Sequence, residues 1–370
     1  MIRPNYAIVD LENLSHNIAQ IRGILAPNVK LLAVIKANAY GHGIVSISNA
    51  ALRCGVDYLG VAIPEEGKKL RESGITAPIL DFGGLLPENA DMIVDYDIIP
   101  TVFSCSILRA LQEKAAQKGK ILPIHIKVDT GMNRIGVKSE GELFELLSLL
   151  RNCPNLVFEG LYTHFAVSEI EDKSFTRLQG ERFLHIVKAV REIGYNPMLH
   201  AANSGALVDL PELHFDMVRA GLVLYGYSPS DRPNPGVKLK PILTWKSSVV
   251  YVKEIEPGDT VSYGRMFTAT RPTTVATLPV GYGDGYKRCL SNKAEVLIHG
   301  KRVPVIGSVC MDQLMCDVSA LHDVRPGDEA VLLGEQGAQC IDAREMAGWA
   351  DTITYEILLS ISERVPRIYR

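Results

Sequence analysis

Residues 30–43 read KLLAVIKANAYGHG. The apolar run Leu31–Ile35 is too short for a helix and carries β-branched residues, so it reads as a buried strand. It ends in Lys36 and breaks into small residues, Tyr40, and the glycines Gly41 and Gly43. Lysine is strongly hydrated and is rarely buried without a partner or a purpose. Lys36 is therefore either the solvated end of a strand or a nucleophilic amine held at the mouth of a fold.

Seven further runs of the same kind follow. They are VDYLGVA (56–62), APILDF (77–82), DIIPTVF (97–103), LPIHIKVD (122–129), FEGLYTH (158–164), PMLHAA (197–202) and DMVRAGLVLY (216–225). Between them lie stretches such as SILRALQEKAAQKG and GELFELLSLLRN, with apolar residues three and four apart, the spacing of amphipathic helices. Eight strands alternating with helices over 200–250 residues is the size of a (β/α)8 barrel. An open doubly wound sheet is disfavoured, because no GxGxxG loop follows the first strand.

After the turn-rich connector SPSDRPNPG (228–236) the period changes to two, in TWKSSVVYVKEI, TTVATLPV, AEVLIHG, RVPVIGSV and DEAVLLG. EPGD (256–259) and RPGD (325–328) place Pro and Gly where a type II turn needs them. The expected fold is α/β: an N-terminal TIM-type barrel over 9–235, then a mainly antiparallel β domain over 236–370. Residues 1–8 are open to pairing with the second domain.

Composition bounds the function. A net charge of −3 offers no basic surplus for nucleic acid or an anionic membrane. The seven cysteines are odd in number, scattered and without a CxxC pair, so neither a disulfide framework nor a zinc site is indicated. The start, MIRPNYAIVDLENL, has no secretory apolar segment, and no run is long enough to span a bilayer. A cytoplasmic protein without a metal is expected.

In such a barrel the chemistry gathers at the C-terminal ends of the strands. Lys36 falls there, with Asp129 and Arg134 in KVDTGMNRIG, His164 in LYTHF, Asn203 and Ser204 in HAANSG, and Arg219 near Gly221 in VRAGL. Each alone has an ordinary structural explanation. Together they suit an electrophilic, phosphate-bearing cofactor: an amine for an imine, hydroxyl and backbone donors for the phosphate, arginines for the ring.

AVIKANAYGHG, HIKVDTGMNRIG, LYTHFA, HAANSGA, MVRAGLVLYG, VSYGRMF, LPVGYGDGY and VCMDQLM, taken in order, resemble the alanine racemase family. The resemblance runs over nearly the whole chain to DTITYEIL and SERVPR. It implies pyridoxal 5'-phosphate held as an internal aldimine by Lys36, and two-base inversion of alanine by Lys36 and Tyr263 on opposite faces. Tyr263 would come from the second subunit of a homodimer that shares its active sites. Arg219 would face the pyridine nitrogen, with His164 beside it. Tyr40, Asn203, Ser204, Gly221 and Tyr355 would complete the cofactor site. Arg134 would sit near the cofactor's phenolic oxygen and the substrate carboxylate, and Met311 would offer its backbone N–H to that carboxylate. Lys127 aligns with a lysine that is carbamylated in many members, where the new carboxylate orients that arginine. Tyr282 and Tyr355 resemble the pair that narrows the entrance. The product D-alanine would supply peptidoglycan.

Three alternatives keep parts of this picture. A decarboxylase of similar architecture would carry an acidic partner for the ring nitrogen, where this chain has Arg219. A pyridoxal-phosphate-binding barrel protein without racemase activity would lack the β domain. A racemase for serine or another small amino acid is not separated by sequence.

Overall fold

A computed structural model of the chain describes residues 4–230 and 236–370. The connector 228–236 and the expected domain boundary at 235 therefore lie partly outside the described residues. The chain divides into two compact units. One comprises Asn13–Ala39 with Ile44–Lys240. The other comprises Tyr40–Gly43, Pro241–Arg370 and the described part of Met1–Glu12.

The first strand, β1 (Asn5–Val9), belongs to the second of these units. Eight parallel strands build the other: β2 (Lys30–Val34), β3 (Tyr58–Val61), β4 (Ile79–Asp81), β5 (Ile99–Val102), β6 (Leu122–Lys127), β7 (Leu156–Tyr162), β8 (Met198–His200) and β9 (Met217–Ala220). They run in sequence order, and β2 also pairs with β9. Between β8 and β9 the ring is drawn together by Asp216 N–H to Leu199 O at 3.0 Å and Arg219 N–H to Ala202 O at 3.0 Å. The strands are short and nearly all buried, as expected where helices cover one face and packed side chains fill the other. The expected (β/α)8 barrel is the fold observed.

The run DMVRAGLVLY differs from expectation after Ala220. At Gly221 (φ −108°, ψ −105°) the chain leaves the ladder and winds into a 3-10 turn over Leu222–Tyr225. The Gly221 N–H, released from sheet pairing, bonds to Ser204 Oγ at 2.9 Å.

The second unit is a ten-stranded sheet with the order Tyr251–Ile255, Thr273–Leu278, Leu314–Asp317, Lys301–Ile306, Glu295–Ile298, Glu329–Gln336, Leu243–Ser248, β1, Arg367–Tyr369. Gln339–Ile341 pairs with Glu329–Gln336 as a side branch. All its pairings are antiparallel except that of β1 with Arg367–Tyr369. Trp245 is buried there, its indole N–H donating to Asn5 Oδ1 at 2.7 Å. Both expected Pro-Gly turns form: Gly258 and Gly327 take φ +96° and +102°, as the third position of a type II turn demands.

Candidate active site

The mouth of the barrel is built from the ends of β2, β6, β7 and β9 and from the turn after β8. Past Val34, Ile35 N–H still bonds to Gly60 O at 2.8 Å, and Lys36 then opens a turn of unusual hand. Ala37, Asn38 and Ala39 have φ of 51°, 54° and 54°, and Tyr40 continues at 50°. Left-handed backbone costs an L-residue roughly 1–2 kcal/mol, and although asparagine tolerates it better, Ala37 and Ala39 on either side of Asn38 need outside support. The Glu66 carboxylate provides it. One oxygen accepts Ala37 N–H at 2.5 Å and Asn38 N–H at 3.4 Å; the other accepts Ala62 N–H at 3.0 Å. Asn38 Oδ1 accepts Ile44 N–H at 2.9 Å, and Ala39 N–H bonds to Ile35 O at 2.8 Å.

Burial lowers the pKa of the Lys36 amine, and the charge of Arg134 adds to this, against a smaller opposing pull from Glu66. Lys127, at the end of β6, is buried with its ammonium 5.7 Å from the Tyr162 ring centre. Burial first, then Arg134 and Arg219, bring it down to about 7. Arg134 stands in the exposed loop after β6. Asp129 Oδ1 shapes that loop by accepting the N–H groups of Gly131 at 2.9 Å and Asn133 at 3.0 Å.

Arg219 is buried, and its guanidinium meets no carboxylate within ion-pair distance among the described residues. It donates instead to Thr163 O and Ala201 O, each at 2.9 Å, to His164 Nδ1 at 3.1 Å and to His200 Nδ1 at 3.0 Å. Guanidinium has only donors, so both imidazoles accept at Nδ1 and carry their proton at Nε2. The direction then propagates. His200 Nε2 donates to His125 Nδ1 at 2.9 Å, and His125 Nε2 donates to Glu159 Oε2 at 3.0 Å. Burial, followed by His125 and Arg219, drives the pKa of His200 well below that of an ordinary histidine; burial and then Arg219 do the same to His164. Tyr162 stacks on His200 with ring centres 4.5 Å apart.

Asn203 caps the short helix Ser204–Asp209 by accepting Ala206 N–H at 3.2 Å, and it receives the Ser168 hydroxyl at 2.6 Å. This sets Ser204 Oγ against the Gly221 N–H. A Cβ at Gly205 would lie 2.6 Å from Ser168 Oγ and 2.8 Å from Ser168 O, so the chain passes there only as glycine.

The remaining candidate residues lie in the second unit. Tyr40 is buried with its ring centre 5.7 Å from that of Tyr355. Tyr263, Tyr282 and Met311 belong to loops that are bonded together. Ser308 Oγ donates to Tyr263 O at 2.8 Å, Ser262 Oγ to Ser308 O at 2.7 Å, Tyr282 N–H to Cys310 O at 3.0 Å, and Gly283 N–H to Met311 O at 2.8 Å. All three side chains project to solvent, Tyr263 with 73% of its surface exposed and Met311 with 53%.

Thus Lys36, Lys127, Arg134, His164, Asn203, Ser204, Arg219 and Gly221 assemble at one barrel mouth. Tyr40 and Tyr355 form a pair, and Tyr263, Tyr282 and Met311 share a surface. His125, His200, Glu159 and Glu66 were not picked out from sequence. For His125, Glu159 and His200 the only signal was a polar residue inside an otherwise apolar strand run; Glu66 lies in the first turn of the helix Pro64–Glu72, where an acidic residue is ordinary.

A parallel barrel whose mouth gathers cations around a buried lysine of lowered pKa defines a lysine-bearing enzyme site for an anionic group. The chain belongs to the alanine racemase family. Residues 9–229 match the alanine racemase N-terminal domain and residues 242–369 the C-terminal domain. It is 47% identical to alanine racemase of Carboxydothermus hydrogenoformans over the full length of both chains, and 45% identical to that of Halothermothrix orenii, covering all of this chain and 97% of the relative. Among solved structures it superposes on alanine racemase of Clostridium difficile with a TM-score of 0.95 at 36% identity, covering all of this chain and 96% of that one. It matches alanine racemase of Bacillus anthracis with bound L-Ala-P equally well, with a TM-score of 0.95 and 36% identity over the same shares of the two chains. No helix among the described residues is long and apolar enough to cross a membrane.

Proposed function

We propose that the protein interconverts L- and D-alanine using pyridoxal 5'-phosphate held by Lys36. One observation carries this reading. Lys36, Lys127, Arg134 and Arg219 act on one another's charge at the barrel mouth, and among the described residues none is in an ion pair. That donor set fits an anionic, electrophilic cofactor: an amine lowered toward its neutral form, a buried arginine without a carboxylate, and a hydroxyl beside a backbone N–H. The bound cofactor supplies an electron-withdrawing ring that makes an amino acid's α-proton removable.

The chain's own residues do the rest. Lys36, favoured as a neutral amine by burial and Arg134, takes or returns the α-proton on one face. Tyr263 of a second copy serves the opposite face, with His164 and Arg219 in the polar chain that eases its ionisation. Arg219 would face the ring nitrogen as a donor that does not readily surrender its proton, so electron withdrawal would stay modest and simple proton exchange would be favoured over transamination.

Ser204, the Gly221 N–H, Tyr40 and Tyr355 would hold the phosphate, with Asn203 setting the turn that carries Ser204. Arg134 binds the substrate carboxylate, joined by the Met311 N–H of the second copy. Lys127, with a pKa brought down to about 7, has the neutral amine that addition of CO2 requires, and its carbamate would orient Arg134. Tyr282 and Tyr355 restrict the entrance to a side chain as small as a methyl. The exposed Tyr263, Met266, Tyr282 and Met311 support a homodimer in which each copy completes the other's site. The protein works in the cytoplasm and supplies D-alanine for peptidoglycan.

The test is chiral analysis of L-alanine, L-serine and L-lysine after incubation with the protein and pyridoxal phosphate. Alanine should approach equal amounts of both enantiomers, with the others far behind. Uninverted alanine, or faster inversion of serine or lysine, would overturn the assignment.

A further inference from the structure

We infer that Glu66 is a positioning residue for the reaction: its carboxylate clamps the left-handed turn Ala37–Ala39 and so fixes where Lys36 presents its amine. The inference rests on the reading of Lys36 as the cofactor-bearing lysine. Glu66 itself touches no reacting atom. It is the third residue of the helix Pro64–Glu72, and Pro64 at the helix start fixes the approach of the chain.

From there one carboxylate oxygen reaches back to Ala62 N–H at 3.0 Å, at the end of β3, while the other crosses to Ala37 N–H at 2.5 Å. A single side chain thus ties the residue following Lys36 to the neighbouring barrel strand. An alanine has no intrinsic preference for this conformation, whereas glycine enters it freely. The contact is also one-sided. Both bonds need an acceptor, and a carboxylate offers two acceptor oxygens where an amide offers one. Asp81 and Glu65 are the other carboxylates acting in this neighbourhood, and Asp81 is buried with Oδ2 unbonded among the described residues. Neither bonds the turn.

Three holoenzymes test this: Glu66→Gln, Glu66→Asp, and Glu66→Gln combined with Ala37→Gly and Ala39→Gly. Glu66→Gln should lower kcat about tenfold, equivalent to roughly 1.4 kcal/mol of transition-state stabilisation. Glu66→Asp, which keeps the charge but shortens the reach, should lose a similar factor. The two glycines should restore most of the rate to Glu66→Gln, because they remove the strain the clamp opposed.

In cofactor-free protein, trace labelling of Lys36 across pH, read by mass spectrometry, should titrate at lower pH in Glu66→Gln than in wild type, with the glycines leaving that displacement in place. Wild-type kcat in Glu66→Asp, a Glu66→Gln rate that the glycines leave depressed, or an unmoved labelling profile overturns the inference. Borohydride reduction of wild-type holoenzyme, followed by peptide mapping, separates this failure from that of the underlying reading, since cofactor found on a residue other than Lys36 would sink the latter alone.

Discussion

Arg219 donates to His200 Nδ1 at 3.0 Å, and this bond sets the proton order of the buried chain that continues through His125 to Glu159. The chain delivers an arginine held cationic by neutral acceptors, with the only carboxylate of the relay three side chains away. It works only while His200 is neutral.

A pH dependence follows. His200 has a folded-state pKa well below its ordinary 6.5, so below that pH the unfolded chain binds more protons than the folded one. Stability is therefore lost as pH falls through 6.5, with a slope of about 1.4 kcal/mol per pH unit for each such imidazole. His200→Asn keeps an acceptor for Arg219 and removes the titration. Denaturant unfolding at pH 5 and pH 7.5 should show a smaller acid loss in the variant. An equal loss would show that His200 does not carry it.

Asp81 gives a dependence of the opposite sign. Burial raises its carboxyl from 3.8 to about 7, against the bond from Gly83 N–H, so the folded chain holds a proton that the unfolded chain has released. The stability tied to that proton is complete below 3.8 and lost as pH rises through about 7. Asp81→Asn keeps an oxygen for Gly83 and cannot ionise. It should gain on wild type in unfolding free energy between pH 5 and pH 8, and a constant difference across that range would contradict the assignment.

Gly205→Ala should weaken cofactor binding. The new Cβ would meet Ser168 at 2.6 Å and 2.8 Å, one of these contacts being backbone, so the Ser204 turn must shift. Overpacking of this kind costs about 1–3 kcal/mol, and the dissociation constant for pyridoxal phosphate should rise about tenfold or more. Fluorescence titration of the cofactor-free protein measures it.

Lys127 should form a carbamate. With its amine brought down to about 7, a large fraction is neutral at pH 8 and able to add CO2. Labelled bicarbonate should give one protein carbamate resonance by carbon NMR, absent from Lys127→Arg. A signal that survives in the variant would place the carbamate elsewhere.

The barrel was legible because its strands and helices impose different periods on the chain, and each of the eight runs met a strand. The β domain was legible through period two and the Pro-Gly turns at Gly258 and Gly327. Lys36, Arg219 and Ser204 stood out as polar groups at strand ends. The left-handed turn did not, since Ala37 and Ala39 carry no signal for positive φ, Asn38 alone is a weak one, and the support comes from Glu66, 29 residues beyond Ala37. His125, His200 and Glu159 were hidden because contact between strands depends on the barrel's register. The end of DMVRAGLVLY was misread as strand because its apolar residues serve a buried 3-10 turn equally well.

The proposed two-base mechanism sets Lys36 and Tyr263 of a second copy on opposite faces of the substrate carbon. Tyr263→Phe holoenzyme incubated in D2O with each alanine enantiomer separately tests it, with α-deuterium incorporation and enantiomer composition both followed. Exchange at the α-carbon should persist from one enantiomer, through Lys36, while inversion in either direction falls by orders of magnitude. Undiminished inversion both ways would contradict the claim.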